Sequence, residues 1–138
     1  MGTEVSKRLR SQIAERAGRR CEYCRIHEAD TSNVHQVDHI VSRKHRGPSS
    51  PFNLAYACVF CNRRKGSDIA SIDLDSGELN RLYNPRVDAW DRHFELDGPV
   101  IRPLTNIARM TAQVLGLNLP ERVEERHVLQ LLGRYPSK

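Results

Sequence analysis

The sequence predicts an α+β fold: two short strands and a short helix gathered at a bound metal, with further helices on either side. Three observations predict it. Four cysteines fall as two C-x2-C pairs, Cys21/Cys24 and Cys58/Cys61, with 33 residues between the pairs. The stretches 34–41, through Val37, Ile40 and Val41, and 54–58 read as short strands, and 59–65, stopped by Gly66, has the length of a short helix. Segments with helical spacing or caps, 5–17, 105–115 and 118–132, lie outside this block.

The cysteines come first because they set the scaffold. Each C-x2-C turn presents two sulfurs to one ion, and two turns complete a closed tetrahedral site for structural Zn²⁺. Disulfides or free thiols are the alternative. The chain opens with no charged-then-apolar leader, so a reducing, cytoplasmic setting is expected, where thiolate pairs mean metal. A chain of 138 residues suits one domain, residues 1–138, with a core at 18–68 and an extension at 69–138. Its hydrophobic share of 38% and aromatic share of 6% give a mainly aliphatic core with little to spare, which a structural metal would reinforce.

The elements follow in order. Val5, Leu9, Ile13 and Ala17 recur every four residues, so 5–17 is an amphipathic helix stopped at Gly18. It leads into the first cysteine turn. Val37, Ile40 and Val41 mark a short strand, 43–51 a Gly/Pro-rich loop, 54–58 a second strand and 59–65 a helix. Beyond Ser67, stretches 69–74 and 79–83 flank Asp75-Ser76-Gly77-Glu78 as a hairpin. One or two helical turns over 88–94 put Trp90 and Phe94 on one face, as core anchors. Thr105 caps a helix to Leu115, ended by Gly116. Asn118 caps a last helix, with Pro120 in its first turn.

Charge is uneven. The net charge is +5, and from His39 to Ser67 there are six Lys or Arg residues and no acid. Arg43, Lys44, His45, Arg46, Arg63, Arg64 and Lys65 are therefore candidate phosphate contacts, with a solvated basic face as the alternative. No apolar run is long enough to span a membrane, so no membrane partner is expected. Gly2 and Ser6 do meet the loose N-myristoylation pattern, a match easily made by chance and without a second membrane signal.

Four further residues carry candidate chemistry. Asp38 and His39 sit near the end of the first strand, where a carboxylate can hold a metal while an imidazole faces water. Alone, such a pair is more often a surface feature. Asn62 follows Cys61 directly, so the cysteine turn fixes its position. Its carbonyl oxygen and the Asp38 carboxylate are hard ligands that suit Mg²⁺ or Mn²⁺; helix capping is the competing role. Asn53, in the loop before the second strand, could bond the imidazole or nearby backbone and so orient His39, or simply be a turn residue. His35 is expected as an exposed strand residue and His93 as a packed one.

Together, Asp38-His39-Ile40, Asn53-Leu54 and Cys58-x2-Cys61-Asn62-x2-Lys65 resemble the HNH endonuclease family, in its form with a four-cysteine zinc site. Leu82-Tyr83-Asn84-Pro85-Arg86 and Trp90-x2-His93-Phe94 are similar to the C-terminal region of many small bacterial members. The resemblance implies a ββα-metal (His-Me) finger. It places His39 as the general base, Asp38 as first metal ligand, Asn53 as the residue orienting the base, and Asn62 where many members carry a final His. A second departure is Arg46-Gly47, where relatives often have Gly-Gly. The implied activity is divalent-metal-dependent DNA hydrolysis to 5′-phosphate and 3′-hydroxyl ends, with DNA as partner. The rival readings are a non-catalytic zinc-stabilised nucleic-acid-binding module and a protein-interaction domain. The sequence assigns no oligomeric state.

Overall fold

The computed structural model describes residues 5–137. Gly2, and with it the myristoylation pattern, lies outside them. Helix α1 is Lys7–Arg16, started by the Ser6 hydroxyl accepting from Leu9 N at 3.1 Å. Strands β1 (Gln36–His39) and β2 (Leu54–Ala57) pair antiparallel, and α2 (Val59–Lys65) follows directly. This is the expected order of strand, loop, strand and helix. Hairpin β3 (Ala70–Ile72) and β4 (Leu79–Arg81) comes next. Helix α3 (Trp90–His93) leads into a third hairpin, β5 (Phe94–Asp97) with β6 (Val100–Pro103). Helices α4 (Asn106–Leu115) and α5 (Pro120–Leu131) close the chain.

Register explains how the β1–β2 pair serves two cores. Asp38 lies opposite Ala55, while Val37 faces Tyr56 and His39 faces Leu54 across the ladder. Side chains alternate, so Ala55 and Ala57 share one face with Asp38, and Leu54 and Tyr56 share the other. The Leu54/Tyr56 face packs on Ile13, Ala14 and Ala17 of the α1 region. The Ala55/Ala57 face joins the larger core, which holds the four cysteines and runs on through Trp90, Phe94, Ile101, Leu115 and Tyr135.

The extension is fastened to the first cysteine turn. Trp90 Nε1 donates to Tyr23 O at 2.9 Å and the Tyr135 hydroxyl to Cys24 O at 2.8 Å. Thr105 caps α4 as expected, its hydroxyl accepting from Ala108 N at 3.0 Å. Asn118 does not cap α5. It instead completes the β6 ladder, accepting from Ile101 N at 2.9 Å and donating to Ile101 O at 2.7 Å. A buried strand edge must find partners for its backbone groups, and that need outweighs the cap.

Candidate active site and metal centre

The four cysteine sulfurs lie within 4.8 Å of one another, and all four residues are buried. Cys24 Sγ and Cys58 Sγ are 3.8 Å apart. A tetrahedral ion with metal–sulfur bonds of about 2.3 Å spaces its sulfurs about 3.8 Å apart, so the cluster has the size of a zinc site. Each turn is tightened by a backbone bond to its first sulfur: Cys24 N to Cys21 Sγ at 3.4 Å, and Cys61 N to Cys58 Sγ at 3.3 Å. Burial pushes the Cys21 thiol well above its ordinary pKa. Thiolates crowded here are stable only when a cation shares them, which is the chemistry of a metal centre. Among the described residues this is the cluster able to hold such an ion.

Asp38, His39 and Asn62 line a second, open cleft of about 300 Å³, together with Arg43 and Lys44. Pairing of β1 with β2, followed by the immediate turn into α2, brings these distant residues together. Asp38 is only 3% exposed. The Tyr23 hydroxyl donates to its Oδ2 at 2.7 Å, and Lys65 Nζ donates to its Oδ1 at 3.2 Å. Burial pushes the Asp38 carboxyl above its ordinary range, with Lys65 and Tyr23 opposing. His39 ends the strand half-buried, its Nε2 2.8 Å from the Ser49 hydroxyl. Burial holds its pKa below the ordinary imidazole value; Asp38 opposes this, and Arg43 and Lys65 reinforce it. Asn62 gives Nδ2 to Gln36 Oε1 at 2.7 Å.

Asn53 does not touch the imidazole. It is buried and laces the loop that follows β1: Val41 N donates to its Oδ1 at 2.9 Å, and its Nδ2 donates to Val41 O at 3.0 Å and Pro48 O at 2.9 Å. Gly47 sits inside the same loop, where a Cβ would lie 1.6 Å from Val41 O. Of the Arg46-Gly47 pair, then, Gly47 is sterically required. Arg46 takes a left-handed φ of 66°, a conformation that glycine adopts more freely.

Two expectations are corrected. Lys65 is not a surface cation; it is 1% exposed, with Nζ donating to Asp38 and to the carbonyls of His39 at 3.0 Å and Ile40 at 3.1 Å. A buried ammonium needs a counter-charge and acceptors, and Asp38 with the strand end supplies both. His35 is not exposed either, at 1%. It lies against the Tyr56 ring, with Nε2 2.9 Å from Ile26 O. The remaining basic residues are exposed. Arg43, Lys44 and His45 form a single 3-10 turn ended by Arg46, and Arg63 and Arg64 lie on α2. Only Arg43 and Lys44 of these reach the cleft; Arg64 leans over the end of α4 at Gly116.

Tyr23 and Ser49 complete the site without having been expected there, and Lys65 enters it as the partner of Asp38, not as a phosphate contact. Tyr23 sits between Cys21 and Cys24, so the position of one metal centre's loop sets the donor to Asp38. No local signal gives this role; it depends on the β1–β2 register.

Residues 21–68 match the family model of HNH endonucleases. No curated protein and no solved structure matched the chain.

Proposed function

Starting from residues 21–68 as a member of the HNH endonuclease family, we propose that this protein is a metal-dependent DNA endonuclease leaving 5′-phosphate and 3′-hydroxyl ends. The observation that carries the reading is the shared cleft: Asp38, His39 and Asn62 converge on one open space beside Arg43 and Lys44. A structural metal does not need those three residues. A base beside two hard oxygen donors is what metal-dependent phosphodiester hydrolysis can use.

His39 is the general base. With its pKa lowered it is neutral at neutral pH and able to take a proton from water as that water attacks phosphorus in line. The Ser49 hydroxyl steadies the ring. Asn53 acts on His39 indirectly, by closing the loop on which the strand ends. Asp38 and Asn62 offer a carboxylate and an amide oxygen, a donor set suited to Mg²⁺ or Mn²⁺. When bound, such an ion would neutralise charge building on the phosphoryl group and the leaving 3′-oxygen. Lys65 already balances Asp38, so affinity for the ion should be modest until a DNA phosphate joins. Arg43, Lys44, His45, Arg46, Arg63 and Arg64 hold flanking phosphates.

The four-cysteine cluster holds structural Zn²⁺, supported by its donor set and sulfur spacing. Cysteines gathered for a metal and not paired as disulfides fit a reducing, cytoplasmic compartment; no helix among the described residues is long and apolar enough to cross a membrane. The extension 69–138 belongs to the same working unit, because the larger core joins it to the cysteines. The rival reading, a non-catalytic nucleic-acid-binding module, draws support from the Asp38–Lys65 pair, which can stand without any catalytic ion. End chemistry separates them. Plasmid DNA incubated with the protein and Mg²⁺ or Mn²⁺ should acquire nicks that DNA ligase seals without prior end repair. DNA bound but never nicked in either metal would leave the binding module.

A further inference from the structure

Arg122 lies on α5, outside the segment that matches the family, yet it reaches the cysteine cluster. It is 5% exposed. Its Nη2 donates to Cys24 Sγ at 3.1 Å and to Cys58 Sγ at 3.7 Å, spanning one sulfur from each C-x2-C turn. Its guanidinium is held over the Phe60 ring, 4.4 Å from the centroid, and Nη1 pairs with Glu125 at 3.2 Å. A groove of about 230 Å³ opens onto the cluster at this point, lined by Cys58, Phe60, Arg63, Arg122 and Glu125.

The chemistry of the cluster gives this contact a purpose. Four thiolates around one Zn²⁺ leave two negative charges, buried where water cannot screen them. A guanidinium is weakly hydrated, always charged and donates in a fixed fork, which makes it the side chain suited to a buried anionic site. Charge-assisted hydrogen bonds from Arg122 to two of the sulfurs offset part of that negative charge and so favour the metal-bound arrangement of the four thiolates. The converse also holds. A site that needs Arg122 in place binds best when α5 is docked, so metal binding and helix docking support each other.

We propose that Arg122 is a charge-balancing residue of the zinc centre and that it makes docking of α5 depend on the metal. The proposal rests on the zinc part of the reading above and is independent of nuclease activity. It also gives the groove a consequence: solvent or a chelator entering there meets Arg122 beside Cys58.

The test uses the full chain loaded with zinc. Metal content of the wild type is measured first, then the rate of zinc transfer to a chromophoric chelator for wild type, Arg122→Met and Arg122→Lys. Hydrogen exchange across 120–131 is followed with and without zinc. Arg122→Met, which keeps the stem but loses the charge, should release zinc at least tenfold faster. Arg122→Lys, which restores a point charge without the fork, should fall between. In the wild type, α5 should lose protection when zinc is removed. If Arg122→Met does not fold, Arg122→Lys decides, with release at least threefold faster expected. Folded variants that release zinc within twofold of the wild type overturn the proposal, as does α5 protection indifferent to zinc. A wild type that carries no zinc overturns the zinc reading itself, and this proposal with it.

Discussion

Replacing Lys65 with methionine keeps the length of the side chain and removes its charge. Three acceptors lose their donor at once: Asp38 Oδ1 at 3.2 Å, His39 O at 3.0 Å and Ile40 O at 3.1 Å. Asp38 and Lys65 are both almost wholly buried, so water reaching the carboxylate from the cleft compensates it only in part. Removing one partner of such a pair costs about 3–5 kcal/mol, and the two orphaned carbonyls push the value to the upper end, about 4–5 kcal/mol. For a domain of this size that lowers the melting temperature by roughly 10–20 °C. The assay is urea unfolding of zinc-saturated protein at neutral pH, run as a double-mutant cycle with Asp38→Asn. In the Asp38→Asn background no buried charge is left unpaired, so Lys65→Met should cost at least about 2 kcal/mol less. A single mutant within about 1 kcal/mol of the wild type would refute the buried pair. So would equal costs in the two backgrounds.

Other outcomes follow from the same geometry. Asn53→Ala removes three hydrogen bonds that close the loop after β1, and should cost about 2–4 kcal/mol while lowering single-turnover cleavage, although Asn53 touches no substrate. The pH at which the cleavage rate is half its maximum on the acid side should lie below the ordinary imidazole pKa of about 6.5, because burial lowers the His39 value and the protonated ring cannot act as base. A rate already halved above neutral pH would contradict that assignment. Arg43→Ala or Lys44→Ala should each reduce the slope of log affinity against log salt by about 0.9 for duplex DNA, read by titration at several salt concentrations.

Much of the fold is legible in the sequence where local signals decide. The helix read at 59–65 with its stop at Gly66 is kept by the structure, where Cys58 caps its start. Thr105 and Gly116 bracket α4 for the same reason. The cysteine cluster is legible because C-x2-C turns carry their geometry with them. Side-chain roles that depend on strand register are not. Lys65 follows two exposed arginines and looks like a third; only its pairing with Asp38, 27 residues away, buries it. Asn118 lies two residues before Pro120 and looks like a cap, but the edge of β6 claims its amide. Arg122 is one of many charged residues on α5, and nothing near it in sequence points to sulfurs 98 and 64 residues distant. The C-terminal helices carry no sequence mark of what they cover. Trp90 of α3, Arg122 of α5 and Tyr135 beyond α5 show that the extension covers the first cysteine turn.

The central claim is that His39 activates water in the Asp38–Asn62 cleft, and it is tested most directly by comparing wild type with His39→Ala on supercoiled plasmid. Both proteins should carry zinc and bind DNA with equal affinity. In Mg²⁺ or Mn²⁺ the wild type should nick the plasmid, and the variant should do so at least about a hundredfold more slowly, the usual loss for a missing general base. Equal nicking by the two proteins, or none by a zinc-loaded, DNA-bound wild type, would contradict the account.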